Sequence, residues 1–334
     1  MADIGERLRS LVRLRDGLPA DYRFTAWKYL LDLPGNSSSF LGLVRKGPHP
    51  AAVASLAARY PLRDRALFRK TAVLISALAH WSPVLGEAEF VPAWVFPFVV
   101  VFQKDDLGAF EAAMTFLLHW GSRLLVTFPQ PPVPVLAAVE LLLQRADPEL
   151  AAHLLGLSVG ALSYGWPLLR SAFCEVLPRD DWLRLLDHLF TNTARLDLLE
   201  VGVVAFVVSS RDTLLRCRSH REAVEFFRQP QRVEMDRMFR EMTRVAKLAV
   251  PSPRGRDRAA RSRDRDDAAA ATPMAQLRSA TREFKPLPRG AYPTFDGYPE
   301  IVINYQAELR QRVMRQEQAF DDKQQLVRGC PYHE

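Results

Sequence analysis

"LEVGVVAFVVSSRDTLL", residues 199–215, is the run on which the fold class turns. Its valines suit a buried strand, since β-branched side chains pack well on a pleated surface. Its length argues the other way: strands run to about 4–8 residues, and a longer apolar run bounded by Arg195 and Arg211 fits a fully buried helix. The text around it decides the matter. Of the 334 residues 24 are proline and only 16 glycine, and the prolines separate stretches of helical periodicity. The spacing predicts a helix over 64–81, with Leu67, Val73, Leu74, Leu78 and Trp81 on one face and Ser82-Pro83 as its stop. Further helices are predicted over 105–127, 132–145, 147–156, 160–177 and 179–190, most of them starting just after Asp, Ser or Pro. An opening helix runs to Pro34-Gly35-Asn36, "GNSSSF" reads as a loop, and 219–248 is a charged amphipathic stretch with Met235, Met238 and Met242 inward. The expected fold is all-α.

Several function classes are excluded by composition and spacing. The net charge is +7, of which residues 251–334 carry +3, from 15 Lys/Arg against 12 Asp/Glu. That charge is interspersed, and no aromatic-interleaved basic stripe is present, so nucleic acid is not an expected partner. Cys174, Cys217 and Cys330 are odd in number and far apart, which suggests neither a disulfide framework nor a zinc site. The most apolar run, "FVPAWVFPFVVVF" (90–102), is too short to span a bilayer and holds two prolines, and no signal-peptide core opens the chain. A cytoplasmic protein without a membrane span is expected. No histidine, His80, His119 and His188 included, has ligand spacing, and Asp105-Asp106 and Asp180-Asp181 read as helix N-terminal acids. Neither a phosphate-binding glycine loop nor a nucleophile elbow occurs, so no cofactor, metal or catalytic residue is assigned.

Composition changes at Pro251. "SPRGRDRAARSRDRDDAAAATP" (252–273) alternates Arg with Asp and lacks aromatics, so residues 251–290 are expected to form a disordered linker. Residues 291–334 then read as a docking helix or the start of a coiled coil. Its thin stripe of Ile301, Tyr305, Leu309, Val313 and Phe320 needs a helical protein partner for residues 299–328.

Three stretches within residues 1–245 resemble the TBC domain, the two-lobed helical fold whose active members accelerate GTP hydrolysis by Rab GTPases. "RFTAWKYLLDLP" (23–34) is similar to the family's opening Arg-x-x-x-Trp element, and "AVLISALAHWSPVLGEAEF" (72–90) to the helix leading to its Tyr-x-Gln motif. "YGWPLLRSAFCEVLPRDDWLRLLDHLF" (164–190) is similar to the C-terminal signature, with Asp187 in its last helix. The expected TBC-like body spans residues 1–250. Within the family, "SALAHWS", "FPF", "WPLL", "EVL" and the "YP" before Tyr305-Gln306 resemble a branch that joins WD repeats, a TBC domain and a coiled coil at centrosomes and cilia. This chain is expected to lack the WD repeats.

Active members use two fingers: an arginine that neutralises phosphoryl charge, worth roughly 10³–10⁵ in rate, and a glutamine that orients water. The family's Ile-x-x-Asp-x-x-Arg, counted back from Pro61, falls on Ala52, Ser55 and Ala58. Arg59 is one residue away, about 100° around a helix. The Tyr-x-Gln motif falls on Phe90 and Pro92. The resemblance therefore implies a domain without its fingers, not itself an enzyme: a scaffold or adaptor at a microtubule-based structure such as a centrosome, basal body or cilium. It could still recognise a Rab-family GTPase or contact microtubule or centriolar proteins. The alternatives are an active GTPase-activating protein that uses Arg59, Arg63 or Arg65 in a shifted register, and a structural microtubule-associated protein.

Overall fold

The computed structural model describes residues 17–249 and 284–295, together with Arg7 and Ser10. The opening residues, most of the expected linker and the expected C-terminal helix with its stripe lie outside them. Among the described residues there is no strand. The valine-rich run is helical from Leu198 to Ser209, and every residue of Leu198–Val208 is buried, so an element apolar on all sides sits where all sides are covered. Ser210 ends it, and the rest of the run forms one further turn, Arg211–Leu214.

Chain order gives α1 (Ala20–Leu30), α2 (Ser37–Val44), α3 (Pro50–Arg59), α4 (Arg65–Trp81), α5 (Val84–Glu87), α6 (Val91–Val101) and α7 (Asp106–Phe116). A π-turn (Leu117–Gly121) leads into α8 (Ser122–Leu125), followed by α9 (Val133–Ala146), α10 (Pro148–Gly156), α11 (Ala161–Arg170) and α12 (Arg179–Thr191). The valine helix is α13, and α14 (Arg211–Leu214), α15 (His220–Phe226) and α16 (Met235–Ala249) complete the series. Helix α4 is the centre of a first lobe, packed on α2, α3, α5, α6 and α7. Helix α13 is the centre of a second, packed on α9, α11 and α16. Helix α1 meets α12 and so joins the first part of the chain to the second.

Caps account for several starts. The Asp64 carboxylate accepts from the N–H groups of Ala66 and Leu67, Asp105 caps α7 through Gly108, Asp147 caps α10 through Leu150, and the Ser219 hydroxyl caps α15 through Glu222. Departures from the sequence reading have local causes. "GNSSSF" is not a loop: the buried Glu111 carboxylate takes the N–H groups of Gly35 and Asn36 at 2.9 and 2.7 Å, and α2 starts at Ser37. The helix over 160–177 ends at Arg170 because Ala172 and Phe173 take positive φ of 44° and 67°. The stretch 219–248 is two helices, separated where Gln231 donates its N–H to the Val176 carbonyl.

Residues 284–295 lie in one compact unit with the body and form a strap across the first lobe. The Asn36 side-chain amide pairs with it twice, donating to the Pro288 carbonyl and accepting from the Gly290 N–H at 2.8 and 2.7 Å. Beyond that, the Tyr292 hydroxyl reaches Glu111, the Trp81 indole donates to the Pro293 carbonyl, and Leu287 and Phe295 are buried.

Candidate functional site

Where α1 and α12 meet, a buried carboxylate gathers four donors. Asp187, with no exposed surface, receives Arg23 Nε at 3.0 and 3.1 Å and Arg23 Nη2 at 3.0 Å. The Trp27 indole N–H donates to it at 2.7 Å and the Leu18 backbone N–H at 2.9 Å, while Arg23 also donates to the Leu18 carbonyl. An ion out of water is tolerated only when paired and hydrogen-bonded this fully. Burial pushes the Asp187 carboxyl up, and Arg23, Leu18 and Trp27 pull it back. Trp27 stands edge-on to Phe190, 4.9 Å between ring centroids, so the junction is walled by aromatic rings. Residues 160 or more positions apart are thus tied at one point, and the Arg-x-x-x-Trp spacing serves packing: one turn of α1 aims both side chains at one carboxylate.

The second candidate region is a cleft between the end of α3 and the start of α6. The position read as the arginine finger, Ala58, is exposed in the last turn of α3. Ala52 is buried there, and Ser55 is half-buried with its hydroxyl unpartnered. Next to Ala58, Arg59 is ion-paired with Glu89, both half-exposed. Arg63 and Arg65 are exposed at the start of α4 and do not line the cleft. Pro92 is buried in the first turn of α6, where a proline's missing N–H costs nothing and its fixed φ fits.

Two cavities flank a partition made of Arg59, Tyr60 and Glu175. The first, about 520 Å³, is faced by Phe90, Phe128 and Trp166 together with Glu87, Glu89 and Arg170. Phe90 stands 5.5 Å from Trp166 and 6.5 Å from Phe128, edge-on to both. The second, about 460 Å³, is mostly apolar, with Leu56, Pro61, Leu62, Pro92 and Phe96. Burial and the neighbouring Glu175 push the Tyr60 phenol to about 12, and burial takes the Cys174 thiol to about 12 as well. At neutral pH both are protonated, so neither supplies an anion to the cleft.

The structure brings Arg59 and Pro92 to one cavity, with Ala58 at its rim in sequence, and leaves Arg63 and Arg65 outside. Glu87, Glu175, Phe128 and Trp166 were not singled out by spacing. The acidic run "GEAEF" before Pro92 signalled Glu87; Trp166 and Glu175 lay in the resembling text "WPLL" and "EVL" without a role, and Phe128 had no sequence signal. Among the described residues no His, Cys, Asp or Glu group is placed to hold a metal, and no helix is long and apolar enough to cross a membrane.

The helices have the fold of a Ypt/Rab GTPase-activating TBC domain. They match the crystal structure of the Ypt/Rab-GAP domain of Gyp1p with a TM-score of 0.62 at 15% identity, over 73% of this chain and 92% of that one. They match the Chlamydomonas flagellar RabGAP TBC domain with a TM-score of 0.57 at 14% identity, over 72% and 84%. In sequence the chain is similar to TBC1 domain family member 31: 35% identical over 324 residues in Xenopus tropicalis and 31% over 329 residues in Homo sapiens, each covering 96% of this chain. Its fold is therefore that of a TBC domain, as the three sequence stretches implied. The chain spans only 27% of the Xenopus tropicalis relative and 28% of the human one. No protein-family model matches it.

Proposed function

We propose that this TBC domain does not activate a GTPase and works by binding, as a scaffold or adaptor at a microtubule-based structure such as a centrosome, basal body or cilium. The observation that carries the first half is the pair Ala58 and Pro92. A methyl group cannot neutralise phosphoryl charge, and a proline in the buried first turn of α6 has no amide with which to hold water. The location rests on the likeness to TBC1 domain family member 31 alone. A GTP-loaded Rab could still be held weakly by the cleft.

Arg59 supports the second reading, an activator with a shifted finger, because it lines both cavities. Its ion pair with Glu89 and the missing glutamine weigh against that reading. Single-turnover GTP hydrolysis across a panel of Rab GTPases tests both. No stimulation is expected, and none that Arg59→Ala changes; stimulation above roughly a hundredfold that disappears in Arg59→Ala establishes the shifted finger instead.

A further inference from the structure

The charge and lining of the cleft point away from a phosphate and toward a cation. Three carboxylates, Glu87, Glu89 and Glu175, face the first cavity against two guanidiniums, Arg59 and Arg170. Each guanidinium is already answered, Arg59 by Glu89 and Arg170 by Glu175 at 3.6 Å. Glu87 is exposed and pairs with no Lys or Arg in a salt bridge among the described residues, with the half-exposed His49 its titratable neighbour. Low-dielectric walls focus such a field, so an incoming anion meets repulsion and an incoming cation is drawn in. The remaining wall is aromatic: Phe90, Phe128 and Trp166 present rings whose faces attract guanidinium and ammonium groups. Past the partition at Tyr60, the second cavity offers an adjacent apolar seat.

We propose that the cleft is a docking site for a basic segment of a partner protein, with an arginine or lysine among Phe90, Phe128 and Trp166 and an adjacent apolar side chain beside Pro92. This rests on the reading that the cleft processes no phosphate. The two fail separately: GTP hydrolysis would sink that reading, whereas this one can fail with hydrolysis still absent.

The experiment is selection of a random twelve-residue peptide display library on the full chain, scored by sequencing. Peptides pairing Arg or Lys with a neighbouring apolar residue are expected to enrich at least tenfold over the starting library, and acidic peptides to be depleted. Enrichment should fall to background on the Glu87→Gln, Glu89→Gln double variant, whose changes are on exposed side chains, and on Trp166→Leu. Fluorescence anisotropy of one enriched peptide is then competed with a GTP-loaded Rab panel. Enrichment of acidic peptides, no enrichment, enrichment that survives both variants, or a peptide whose binding is insensitive to Trp166→Leu each overturns the proposal.

Discussion

At Asp187 two oxygens collect an arginine, an indole and a backbone N–H with no exposure to water; at Arg59 a guanidinium has one carboxylate and stays half in solvent. Asp187 belongs to a stretch through which the sequence resembles TBC domains, and Arg59 stands next to the position where that resemblance puts the arginine finger. The first keeps every group that the likeness implied, and on the reading proposed above the second lacks its two chemical ones. The difference follows from where each sits. Removing one member of the buried set leaves an uncompensated ion in the interior, which threatens the fold itself, whereas a finger at a cleft rim contributes little to folding and can be replaced at small thermodynamic loss. On that proposal a TBC fold and TBC chemistry are separable, and only the former is held in place by burial.

The largest expected effect tests the buried half. Asp187→Ala strands the Arg23 guanidinium and should lower unfolding free energy by about 3–5 kcal/mol in urea titration. A melt like the parent's would mean that the junction ties nothing. Packing beside it is next. A Cβ at Gly121 would stand 2.7 Å from the Trp94 ring, which is rigidly buried, so Gly121→Ala should cost about 1–3 kcal/mol, read from the thermal midpoint.

The cleft side has its own signature near neutral pH. His49 accepts the Ala52 N–H at the start of α3, with its ring 5.4 Å from His80, and burial and His80 hold its pKa below the ordinary 6.5, against Glu87. A lowered folded value means that the unfolded chain takes the proton first. Stability is then complete above about pH 6.5 and declines as pH falls through the window below it. His49→Asn, a cap that does not titrate, should flatten that slope. If the slope persists in His49→Asn, another group sets it. The smallest effect belongs to the rim. A double-mutant cycle on Arg59→Ala and Glu89→Ala should give a coupling under about 1 kcal/mol, as exposed pairs do. A much larger value would erase the contrast between the regions.

Periodicity and proline punctuation made α4, α7 and the helices from α9 to α13 legible, because amphipathic faces and caps are local properties. Helices α3 and α6 were not. "PAAVASLAAR" has too little apolar contrast to announce a face, and "VPAWVFPFVVV" is apolar on every side with a proline inside it. The start of α2 depended on Glu111, 75 residues further on, which no window of sequence contains. At the site, motif spacing located Ala58 and Pro92, but the aromatic and acidic lining of the cleft is assembled from three separated segments, around Glu87, Phe128 and Trp166, and exists only once the lobes are formed.

The strap over the first lobe turns the body into a chain that closes upon itself. Having finished α16 at Ala249, the backbone returns at Phe284 to lie against α2, α4 and α7, with Asn36, Trp81 and Glu111 as its fastenings. Because closure entropy grows only with the logarithm of length, doubling the number of residues between Ala249 and Phe284 should weaken the clasp by just about 0.6 kcal/mol. A single cut among them would leave two polypeptides that part in detergent yet travel together under native conditions. Phe295, its ring 5.7 Å from that of Trp81, is thereby held to the first lobe and not to the end of α16.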